Sequence, residues 1–170
     1  PLSLLTGRRE IMRLLDEDVF FFTTFGGEAL SLAAAKATIT ELRDKHVPAA
    51  LAAQGKKLRD GYNAIARENG IEYSTCVGFD CRSLVTFDAK AGPRSPSGGN
   101  PLEMKSLVQQ ELIKRGVLWS GFHNMSFSHT DEDVAHTLAA YRQVLPILRD
   151  AVATGETKRC LRGEPVEPVF

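Results

Sequence analysis

Apolar positions in the second half of the chain recur at helical spacing. Between residues 47 and 69, Leu51, Leu58, Tyr62 and Ile65 share one stripe, while Lys56, Lys57 and Arg59 fall outside it. Gly70 then supplies a left-handed stop. The same period returns in Val134, Leu138, Tyr141, Leu145, Leu148 and Val152, predicting a last helix to about Ala153 with a kink at Pro146. Thr130 and the acids Asp131, Glu132 and Asp133 mark its start and complement its positive end. Between these helices, residues 73–79 and 83–87 read as a strand pair around Asp80-Cys81-Arg82. Residues 91–100 have no period and read as a flexible loop. Asn100-Pro101-Leu102-Glu103 is a helix start with Asn as cap, Pro first and Glu third, and that helix should end at Arg115-Gly116. Residues 117–128 then read as a third strand.

The first half differs. Ile11, Met12, Leu14 and Leu15 lie near one face of a short helix over residues 8–15. The helix after Gly27 runs to about Asp44 and spreads apolar and small residues (Leu30, Leu32, Ala33, Ala37, Ile39, Leu42) over more than one face. That pattern predicts a helix enclosed by other elements. The order is therefore helices without a sheet of their own, followed by β-β-α-β-α. This is an α/β chain, more narrowly an α+β domain with helices covering a sheet.

Composition narrows the partners. The 170 residues are 43% hydrophobic and 25% charged, which places the chain among globular proteins. Its 21 basic and 21 acidic residues give no electrostatic case for nucleic acid or for an anionic membrane. No apolar run approaches the ~20 residues of a membrane helix, and no secretory signal is visible. Three cysteines without C-x-x-C spacing argue against zinc and against a disulfide framework. Cys76 and Cys81 could face each other across the hairpin, but reduced cytoplasmic thiols are the default.

The chemistry concentrates at residues 23–35. An apolar run, residues 19–22, meets Thr23-Thr24, then Phe25-Gly26-Gly27-Glu28, then the alanine-rich helix. A helix start offers free N–H groups and a partial positive charge, and glycines let backbone approach an anion. The competing reading is a plain helix cap. Elsewhere, His123, Asn124, Ser126, His129 and Asp131 have no ligand-specific spacing, so no metal is expected. Arg82 and Arg94 can pair with a substrate carboxylate or lie solvated. The cluster Lys56, Lys57, Arg59 reads as a wet helix face, and Lys36 sits in the alanine-rich helix without a catalytic context.

Three stretches carry a family resemblance. Residues 23–35 resemble the cofactor-phosphate segment of the class-III pyridoxal-phosphate (PLP) aminotransferases, in the branch with glutamate-1-semialdehyde aminomutase and related sugar-pathway aminotransferases. Pro1-Leu2-Ser3 with Thr6-Gly7-Arg8-Arg9-Glu10-Ile11-Met12 resembles the segment just downstream of the family's Schiff-base lysine. Gly121-Phe122-His123-Asn124-Met125-Ser126 through Asp133, and the tail Leu161-Arg162-Gly163-Glu164-Pro165-Val166, resemble its end.

The resemblance implies the C-terminal domain of a fold-type-I PLP-dependent transferase plus a helical remnant of the large domain. Its divisions would be residues 1–45 (remnant with connecting helix), 46–153 (small domain) and 154–170 (peripheral tail). The Schiff-base lysine would lie upstream of Pro1, leaving no catalytic residue in this chain and an inactive fragment. It further implies PLP as cofactor and a homodimer with a shared active site. The substrate would be a small amino acid, keto acid or aldehyde, turned over by amino transfer or a 2,1-amino shift. Thr24 would hold the cofactor phosphate of the neighbouring subunit, with Thr23 as the competing candidate. His123 and Asn124 would lie near the substrate entrance or serve as structural polar groups. Glu28 departs from the Asn that many members carry. The alternative is a non-catalytic interaction module derived from this fold.

Overall fold

A computed structural model describes residues 2–88 and 100–167. The expected loop over residues 91–100, with Arg94, lies almost wholly outside the described residues. The chain divides into two compact units, residues 1–47 and 48–170.

The first unit is helical. In place of one helix over residues 8–15 there are two single turns, α1 (Arg9–Met12) and α2 (Leu14–Glu17), interrupted at Arg13. Neither has a side-chain cap, and isolated turns this short gain little from propensity. The third helix, α3 (Ala29–Asp44), has the expected length. The enclosure expected for α3 is absent, because none of residues 2–46 is buried. Leu30, Leu32, Ile39 and Leu42 are exposed, as are Phe20, Phe21, Phe22 and Phe25 before them.

The second unit has a core. Helix α4 (Val47–Glu68) leads through Gly70 at φ 65° into an antiparallel hairpin of β1 (Ser74–Phe79) and β2 (Arg82–Phe87). Helix α5 (Pro101–Ile113) starts at Asn100, whose side chain accepts from the Leu102 N–H. Strand β3 (Phe122–Asn124) pairs antiparallel with β2, giving the order β1-β2-β3. Helix α6 (Asp131–Thr154) closes the domain. Thr130 and Asp133 form a reciprocal capping box at its start, a device worth on the order of 1 kcal/mol. The helix is continuous through Pro146 and ends at Gly155 in the left-handed region.

One face of the sheet packs on the helices. Cys76, Ser83, Val85 and His123 are buried on the inward side by strand parity, and Cys76 and Val85 join Tyr62, Ile65, Met104, Leu107, Tyr141, Leu145 and Leu148 in one cluster. The expected stripe of α6 is buried except Leu138, which is half-buried. Two glycines let α4 approach its neighbours. A Cβ on Gly55 would fall 1.7 Å from the Asp80 carbonyl oxygen, and one on Gly61 would fall 2.6 Å from a Leu138 methyl.

Three expectations need correction. Only residues 122–124 of the 117–128 segment form a strand, because β2 offers them pairing partners only at Leu84, Ser83 and Arg82. The tail, although mostly exposed, is tied to α5: Gln110 donates to the Cys160 carbonyl and accepts from the Arg162 N–H, and Ser106 accepts from Val166 N–H. Arg59 is not on a wet face; it reaches from α4 to pair with Asp80 in the hairpin turn, and its side chain is only 23% exposed.

Candidate functional site

Glu28 caps α3. Its carboxylate accepts from the N–H groups of Leu30 and Ser31, both at 2.7 Å; hydrogen bonding by the Ser31 side chain, and then by these N–H groups, holds its pKa below the ordinary carboxylate value. The anion at this helix start is therefore the chain's own. The residues left open lie just before it. A turn closed by Glu28 N–H to Phe25 carbonyl, 3.1 Å, carries Gly26 and Gly27. Gly26 is required by closeness: a Cβ there would fall 1.9 Å from the Thr23 hydroxyl oxygen. The Thr24 hydroxyl is exposed and hydrogen-bonds to none of the described residues. The Thr23 hydroxyl is likewise exposed and hydrogen-bonds to none of the described residues; the two differ in that Thr23 lies against Gly26. The helix axis itself is occupied by the Glu28 carboxylate. Lys36 is exposed on α3.

The second candidate lies on β3. Its parity separates His123, 7% exposed and turned to the core, from Asn124, which is exposed. His123 Nδ1 is 3.0 Å from the Ser83 hydroxyl and 3.7 Å from the Cys76 thiol, and Nε2 is 2.8 Å from the Tyr141 hydroxyl. The Tyr141 ring meets Tyr62 edge-on at 4.8 Å, and the Tyr62 hydroxyl pairs with Ser74 at 2.5 Å. Burial alone pulls the His123 pKa from 6.5 down to about 4, since a cation there loses its hydration. At neutral pH it is a neutral ring with both nitrogens engaged in the core. The sequence reading did not identify its partners. Ser83 faces His123 in register, and Tyr141 belonged to the stripe of α6, so strand parity plus that stripe was the available signal.

The remaining candidates do not converge on chemistry. His129 Nδ1 accepts from Ser126 N–H, Asp131 pairs with Lys57 at 2.5 Å, and His136 Nε2 meets the Arg115 carbonyl. No group of metal-ligating side chains occurs among the described residues. Arg82 stacks over the Phe122 ring at 5.5 Å on the outer face of the sheet. Cys76 lies opposite Val85, and Cys81 sits in the exposed turn, so the two thiols do not meet across the hairpin. No helix among the described residues is long and apolar enough to cross a membrane.

No protein-family profile matches the chain. It is 28% identical over 177 residues to the glutamate-1-semialdehyde 2,1-aminomutase of Halorubrum lacusprofundi, covering 85% of this chain and 40% of that protein. It is 26% identical over 146 residues to the 3-aminobutyryl-CoA aminotransferase of Cloacimonas acidaminovorans, covering 85% and 34%. Among solved structures, the FumI protein of Sphingopyxis sp. MTA144 in its PLP-bound form matches with a TM-score of 0.63 at 25% identity, over 79% of this chain and 31% of that one. An omega-transaminase from Sphaerobacter thermophilus matches with a TM-score of 0.67 at 19% identity, over 84% and 34%. The chain thus spans 40% or less of the length of each of these proteins. By sequence it is a relative of the glutamate-1-semialdehyde aminomutases and aminotransferases, and its fold is that of part of a fold-type-I PLP-dependent transaminase.

Proposed function

We propose that the chain is the C-terminal part of a class-III PLP-dependent aminotransferase or 2,1-aminomutase, active as a cytoplasmic homodimer. PLP, when bound, supplies an electron sink for amino-group chemistry on a small amino acid, keto acid or aldehyde. The role of this chain is to bind and position. Thr24 donates its hydroxyl, with loop N–H groups, to the cofactor phosphate of the neighbouring subunit. The observation that carries this role is the exposed, unpartnered Thr24 hydroxyl ahead of Gly26 and Gly27. Asn124 faces the substrate entrance, while His123 holds β3 in place from beneath. The Schiff-base lysine belongs to sequence preceding Pro1.

The test is Thr24→Val in the full-length enzyme. A charge-assisted hydrogen bond is worth on the order of 1.5–3 kcal/mol, so cofactor affinity should fall roughly 10- to 100-fold. The apo form should melt unchanged, because the lost hydroxyl is exposed. Mixing this variant with one lacking the Schiff-base lysine should restore activity in part, since one site of a mixed dimer then carries neither lesion. Undiminished cofactor affinity, or heterodimers without recovered activity, overturns the role across the subunit boundary.

A further inference from the structure

We draw no further inference here: the strongest candidate, the cavity between β3 and the first turns of α6 that is lined in part by Trp119, whose buried Nε1 has no partner among the described residues, is also lined by Asn124 of the substrate entrance already proposed, and nothing in the structure shows what covers it.

Discussion

Acid should loosen the second unit through His123. The ring is 7% exposed, and burial holds its pKa at about 4 against 6.5 for a free imidazole. Hydrogen bonding does not forbid the cation, because Ser83 and Tyr141 can each accept from a doubly protonated ring. Desolvation alone resists the proton. The unfolded chain therefore binds a proton at His123 from about pH 6.5 downward while the folded chain does not. The associated stability is fully present above pH 6.5, declines as pH falls through that value and is lost by about pH 4. The slope approaches ~1.4 kcal/mol per pH unit and the total is roughly 3 kcal/mol. Trp119, the one tryptophan, is buried in the same core, so its fluorescence during urea unfolding reports this unit. Midpoints should be measured from pH 7.5 to 4.5 for the parent and for His123→Gln. The variant starts lower at neutral pH, because the network loses a partner, but its pH profile should be flatter by the His123 contribution. Parallel profiles would refute the argument, as would an NMR titration of His123 near 6.5.

Other outcomes follow from the packing. Gly55→Ala should destabilise by about 1–3 kcal/mol or more, because the methyl meets backbone at Asp80 that cannot rotate away; Gly61→Ala should cost less, since Leu138 is a side chain that can shift. Urea midpoints of the two variants give the order, and equal costs would count against it. Asn63→Ala leaves the N–H and C=O of Cys76 unpaired and should cost about 1–3 kcal/mol, with a rise in light scattering from edge association. Glu28→Asn keeps an acceptor for the α3 start and removes a negative charge near Thr24, so cofactor affinity in the full-length enzyme should rise; a fall would place Glu28 on the side of binding. Residues 1–170 expressed alone should elute above monomer mass, because residues 2–46 have no core and expose Phe20, Phe22, Phe25 and Leu30.

The helix starts were legible because caps are local. Asn100, Thr130 and Asp133 act on backbone within three residues, so their identity and spacing suffice. Strand β3 was overextended for the opposite reason: Val117, Leu118 and Trp119 have strand-like side chains, but pairing depends on what β2 offers opposite them. Arg59 looked like part of a solvated run since nothing local announces Asp80, 21 residues away in sequence. The tail looked peripheral because its anchors are main-chain groups held by Gln110 and Ser106, which no apolar pattern marks. At the candidate site, the Thr-Thr-x-Gly-Gly run pointed to an anion, but the closeness of Thr23 to Gly26 depends on how the loop folds and is written in no local pattern.

Helix α4 links these parts of the second unit. Its Gly55 seats on the hairpin turn, its Arg59 and Asn63 hold the outer edge of β1, and its Tyr62 reaches Ser74 and the Tyr141 ring beneath the sheet. Successive contacts fall about one turn apart, so one face of one helix fixes the hairpin in register. Strand β2 is held by β1, and β3 by β2, with His123 pinned from below by Tyr141. The position of Asn124 is therefore set by groups on α4 and α6. A lesion at Gly55 should appear at β3 as faster amide exchange at His123, whose bonds to β2 depend on the hairpin staying where α4 holds it. If His123 exchange is unchanged in Gly55→Ala while the hairpin amides loosen, β3 is anchored by α6 alone and this chain of support is broken.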